Sequence, residues 1–150
     1  MKMIKKMNYL LLLGLLFSAH SFAEYDEELA KSVGADDYGM KPYVMVILVT
    51  GDKVVEDKTK RNEAFAGHFA NMSQLAEEKK LVVAGPLGDA EPKRGVFIFN
   101  TDNLETAESW VKTDPAVEAG LLSYELYKMY SSAALMLVNE QHKQLQKKPI

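Results

Sequence analysis

No cysteine occurs in the 150-residue chain. That excludes disulfides and rules out a lipid anchor attached through an N-terminal cysteine, so stability must come from packing. Basic residues do not predominate either: 18 Lys and Arg stand against 21 Asp and Glu. The close His/acid spacing of HExxH is missing, as are GxGxxG and the P-loop, which argues against a metal site and a nucleotide cofactor. Ser73 and Ser123 lack the context of a nucleophile elbow, so a Ser–His–Asp triad has no support. Repeats and low-complexity runs are absent.

One long apolar run is present, at the start. Lys2, Lys5 and Lys6 precede an uninterrupted apolar stretch from Tyr9 to Phe17, and Ser21-Phe22-Ala23 supplies the small residues a signal peptidase reads. This pattern predicts a secretory signal over residues 1–23, cleaved before Glu24, and an exported protein, periplasmic or secreted. The alternative is an uncleaved anchor, but the run falls short of the ~20 residues that span a bilayer. Removing 23 of 150 residues leaves 127, the size of one domain. The leader carries three lysines and no acid, so the remainder has 15 basic and 21 acidic residues, a balance of −6. That charge excludes neither catalysis nor small-molecule binding, but it argues against nucleic acid and anionic membrane surfaces as partners.

Residues 24–42 read as an N-terminal extension, with a short helix over 26–33 stopped by Gly34 and then a loop to Pro42; a poorly ordered arm is the competing reading. Residues 43–50, 81–84 and 95–99 read as strands, and 124–130 as a fourth. Helical spacing runs through 58–80, where Phe65, Phe69, Met72 and Ala76 share a direction within about 30°. A second helix capped by Asn103 or Asp102 reaches about Lys112, and Asp114-Pro115 starts a short helical turn ended by Gly120. A last helix covers 133 to about 147. The order β-α-β-β-α-β predicts an α+β, ferredoxin-like unit with both helices on one sheet face and an extra C-terminal helix. A sheet covered on one side should alternate apolar and polar residues, and the first three strands do not. Too few elements remain to cover the second face, so a second copy of the chain is expected there, giving a homodimer.

The residues Ala66-Gly67-His68-Phe69 and, further on, Leu81-Val82-Val83-Ala84-Gly85-Pro86-Leu87-Gly88-Asp89 resemble those of the YciI-like (YCII-related) proteins of the dimeric α+β barrel superfamily. Trp110, Asp114-Pro115-Ala116-Val117 and Ala119-Gly120-Leu121 extend the resemblance over about residues 43–130. The tail, Tyr130-Ser131-Ser132-Ala133-Ala134-Leu135 and Val138-Asn139-Glu140, is similar to an exported branch. The resemblance implies a ferredoxin-like homodimer with a cleft lined by a His–Asp pair. It also implies small-molecule chemistry: a related enzyme removes chloride from a chlorinated hydroxyquinol, and the superfamily includes muconolactone isomerases and cofactor-free monooxygenases. This chain departs from a mainly cytoplasmic family in carrying a leader.

His68 and Asp89, 21 residues apart, are therefore the candidate catalytic residues. His68 projects about 70° from the centre of its helix's apolar stripe, at the boundary of core and solvent. A carboxylate on one ring nitrogen fixes the tautomer and makes the other a better base. Glu91, in the same loop as Asp89, leaves the identity of that carboxylate open. His20 falls in the leader and His142 in the polar last helix. Trp110 reads as a core anchor; Tyr124, Tyr127 and Tyr130 could line a cleft or the dimer seam; Arg94 reads as a solvated charge or a contact for an anionic substrate. Two functions follow: a cofactor-free enzyme moving protons on a small aromatic or unsaturated ring compound, by isomerisation or elimination, or a non-catalytic dimeric binding or scaffold protein whose His–Asp pair is structural.

Overall fold

The computed structural model describes residues 24–148. The leader read over residues 1–23 lies outside them. Helix α1 (Glu27–Val33) is capped by Asp26, which accepts from the Leu29 amide, and ends at Gly34, whose φ of 71° suits glycine. Four strands follow in one antiparallel sheet: β1 (Met40–Thr50), β2 (Leu81–Pro86), β3 (Lys93–Phe99) and β4 (Leu122–Ser132), in the spatial order β2-β3-β1-β4. Between them run α2 (Lys58–Glu77), α3 (Leu104–Val111) and the single turn α4 (Pro115–Glu118). This is the ferredoxin-like arrangement that the element order predicts.

Register separates the two apolar sheet faces. Val44, Val46 and Leu48 pair with Phe99, Phe97 and Gly95 across the β1–β3 ladder. Val44, Val46, Leu48, Phe97 and Phe99, together with Leu75, Leu81, Ala107, Val111, Ala116 and Leu122, form the main core beneath the helices. Met45 pairs with Ile98 and Ile47 with Val96; by the two-residue period these point to the opposite face, where all four are half-buried. Strand β4 alternates from Leu122 to Tyr127, and its Ser123, Glu125 and Tyr127 on that opposite face are exposed.

Strand β1 begins three residues earlier than expected and runs through Pro42. Proline is tolerated because β3 pairs only from Val44 onward, so at Pro42 the strand is joined to β4 alone. The last helix is split into a 3-10 turn (Ala133–Leu137) and α5 (Val138–Leu145). This tail packs on α1, β1 and β2. Asn139 Nδ2 donates to the Leu81 carbonyl at 2.8 Å, the Tyr43 hydroxyl to the Ser132 carbonyl at 3.1 Å, and the Ala133 amide to Gly39 at 2.9 Å. Val33, Tyr43, Val82 and Ala133 are buried outside the main core. Helix α1 and the tail from Ala133 to Leu145 thus cover one end of the second sheet face, more than the sequence reading allowed, and leave Met45, Ile47, Val96 and Ile98 beyond that cover.

Candidate functional site

Helix α2 is started by Asp57, whose carboxylate accepts from the Thr59 and Lys60 amides. Its buried residues are His68 and Leu75. The inward face is therefore rotated toward His68 relative to the expected stripe, and Phe69 stands 51% exposed. The cause is α4, which packs on α2 and covers the side that includes His68. The ring of His68 stacks on Phe97 (centroids 5.9 Å, planes 21° apart) and meets Phe65 and Phe69 edge-on at 6.3 and 5.4 Å.

The carboxylate against that imidazole is Asp114. His68 Nδ1 and Asp114 Oδ2 are 2.5 Å apart, and Asp114 is fully buried. Its other oxygen accepts from the Ala116 amide at 2.9 Å and so caps α4. Both carboxylate oxygens are thereby bonded, as a buried acid requires. Nδ1 donates to the carboxylate, which places the imidazole's available lone pair on Nε2 when the ring is neutral. Nε2 has no hydrogen-bond partner among the described residues and is not sealed from solvent; the side chain keeps 11% of its surface. The arrangement is that of a base oriented by a carboxylate.

Asp89 takes no part in it. It is exposed in the loop between β2 and β3, with φ of 51°, and no hydrogen bond reaches it among the described residues. The expected His68–Asp89 bond is thus replaced by His68–Asp114: the start of α4 lies directly on α2, whereas Asp89 stands exposed in the β2–β3 loop. Glu91, the other acid of that loop, pairs with Arg94 at 2.5 Å. Asp114 is visible in the sequence as a helix cap, and that role conceals its second one.

Two neighbours of the pair fix the approach. A Cβ on Gly67 would lie 2.7 Å from Pro115 Cγ, far inside ordinary carbon–carbon contact of about 3.5–4.0 Å. Glycine within a helix costs about 0.5–1 kcal/mol relative to alanine, so its presence here is explained by the close approach of α4. One turn on, Asn71 Nδ2 donates to the Thr113 carbonyl at 3.3 Å and hydroxyl at 2.9 Å. Asn71 Oδ1 is enclosed without a partner.

The remaining polar residues are engaged elsewhere. The Tyr124 hydroxyl donates to Glu108, and the phenol is shifted up, chiefly by burial. Glu108 is held below the usual carboxylate range by its hydrogen bond with Lys112. Tyr127 donates to Glu125 and Tyr130 to Asp36. Trp110 packs edge-on against Phe99 at 5.5 Å, the core role expected of it. His142 is exposed on α5. Among the described residues no group of three or more His, Cys, Asp or Glu side chains is placed to hold a metal ion. Two shallow surface depressions, one lined by Pro42, Tyr43, Lys128 and Tyr130 and the other by Asp102, Leu104 and Glu105, include neither His68 nor Asp114.

The family model of the YCII-related domain matches residues 43–130, more than half of the chain. The chain belongs to the YCII-related family. This YCII-related protein is 34% identical over 71 residues to an uncharacterized protein of Haemophilus influenzae, with 42% of this chain and 72% of the relative covered. It is 36% identical over 67 residues to the uncharacterized protein YjpA of Bacillus subtilis, with 41% and 76% covered. It also has a likeness, at 21% identity and a TM-score of 0.42, to the solved 5-chloro-2-hydroxyhydroquinone dehydrochlorinase TftG of Burkholderia phenoliruptrix in complex with 2,5-dihydroxybenzoquinone. That match covers 56% of this chain and 90% of the other.

Proposed function

We propose that this YCII-related protein is an exported, cofactor-free proton-transfer catalyst acting on a small aromatic or unsaturated ring compound, by isomerisation or elimination. The observation that carries the reading is the 2.5 Å bond between His68 Nδ1 and the fully buried Asp114. His68 Nε2 would take a proton from the bound ring compound, the carboxylate would stabilise the resulting imidazolium, and the same nitrogen would return the proton to another atom of the substrate or to a leaving group. The three phenylalanine rings around His68 supply an apolar setting for such a ligand. The working unit is a homodimer: Met45, Ile47, Val96 and Ile98 form an apolar surface on the sheet face away from the helices, suited to a second copy. Export follows the reading of residues 1–23, with Glu24 as the mature N-terminus.

A specific observation favours a second reading, a non-catalytic binding or scaffold protein. Asp114 caps α4 and ties it to α2, and the two depressions named above lie away from the pair. Calorimetric titration of the mature protein with a panel of hydroxylated ring compounds separates the two. On the catalytic reading, His68→Ala abolishes binding or turnover, Asp114→Asn lowers it at least tenfold, and Asp89→Asn leaves it unchanged. If His68→Ala and Asp114→Asn lower only the melting temperature, the pair is structural.

A further inference from the structure

Three consecutive residues, Thr113, Asp114 and Pro115, are each met by a different residue of α2. Asn71 donates twice to Thr113, His68 bonds Asp114, and Gly67 leaves room for the Pro115 ring. At 100° per residue Gly67, His68 and Asn71 fall within one sector of the helix about 100° wide. The imidazole–carboxylate bond is thus bracketed on both sides, one residue before and one after the aspartate. We propose that Gly67 and Asn71 are positioning residues of the His68–Asp114 pair: Gly67 sets how closely α4 approaches, and Asn71 fixes the peptide that leads into Asp114.

In assigning them a part in function, the inference rests on the role proposed for the pair; the geometry they set is separately measurable. A side chain at 67 must push Pro115 away by roughly 1 Å to restore normal contact. A displacement of that size at Asp114 takes a 2.5 Å bond beyond the range of about 2.7–3.2 Å in which N–H···O bonds hold. Asn71 acts on the other flank, where Thr113 is itself tied to α3 through its hydroxyl, which donates to the Trp110 carbonyl at 2.7 Å.

The test is proton NMR of the full mature chain, following the downfield Nδ1 proton that a short imidazole–carboxylate bond produces. The parent shows that proton. Gly67→Ala loses it, Gly67→Ala/Pro115→Gly regains it because both the Cγ at 2.7 Å and the Cβ at 3.0 Å are gone, and Pro115→Gly alone keeps it. Asn71→Ala broadens the signal through faster exchange with water. Retention of an unshifted proton in Gly67→Ala overturns the role of Gly67, as does failure of the folded double variant to recover it. Should Gly67→Ala fail to fold, the Asn71→Ala spectrum decides, and an unchanged signal there overturns the proposal. Ring-compound binding is measured on the same samples. Variants that lose the proton yet bind as the parent does overturn the catalytic reading while leaving the positioning result in place.

Discussion

The two faces of the sheet have similar composition and different fates. Toward the helices, Val44, Val46, Phe97 and Phe99 are at most 2% exposed. On the opposite face Met45, Ile47, Val96 and Ile98, drawn from the same strands, are only half-buried. Apolar content therefore does not tell which residues hold the domain together. Register does, because neighbouring residues of one strand serve different surfaces. The difference also shows where the chain meets its own needs and where it leaves a surface suited to a partner.

Substitutions can break this comparison. The largest effect is expected from Phe99→Ala, which empties a site between Phe97 and Trp110 and should cost about 3–5 kcal/mol in urea unfolding. Next comes Asp114→Ala, which removes the α4 cap and leaves the His68 Nδ1 unpaired; about 2–4 kcal/mol is expected from the two losses together, read by thermal melts. On the opposite face, where a second copy is proposed to dock, Ile47→Asp should abolish that dimer by light scattering while the unfolding free energy of the monomer falls by less than about 1 kcal/mol. A parent protein that is already monomeric would show that the two faces differ for another reason.

The smallest expected effect belongs to the rim, where Tyr130 donates to Asp36. That bond lowers the Asp36 carboxyl below its ordinary value of 3.8 and raises the Tyr130 phenol above 10.0. A lowered carboxylate contributes stability above its unfolded pKa and loses it as pH falls through the folded value; a raised phenol contributes below its unfolded pKa and loses it as pH rises through the folded one. Tyr130→Phe should therefore lower the urea midpoint slightly at neutral pH. The gap from the parent should close below about pH 3.8 and above about pH 10.

Much of the architecture is legible in the sequence. Asp114 announces a helix start, Gly34 and Gly120 announce ends, and all three act so in the structure; of the two candidate caps Asn103 and Asp102 it is Asn103 that caps α3, and Asp26, read as the first helical residue, caps α1 instead. The path of β1 through Pro42 is hidden because a proline's place in a sheet depends on which neighbour is missing, a tertiary fact. The site is half legible. His68 stands out, yet its partner does not, because Asp114 is already accounted for as a cap. A carboxylate has two oxygens, and a cap uses one. The usable signal was the company Asp114 keeps: Val111, Pro115 and Ala116 are apolar, and an acid buried among them needs a second donor. Asp89, among glycines and charges, had no such need.

Strand β1 sits at the centre of the sheet, and one of its two neighbours is β4, with Met40 opposite Ser132 and Thr50 opposite Leu122. The strand that emerges first from the ribosome must wait for the last one. Until roughly the final fifth of the chain exists, β1 has one open edge and the seal over Tyr43 is missing. Such long-range pairing makes folding slow to begin. A chain that must pass through a membrane unfolded, as the reading of residues 1–23 requires, is served by a topology that cannot close early.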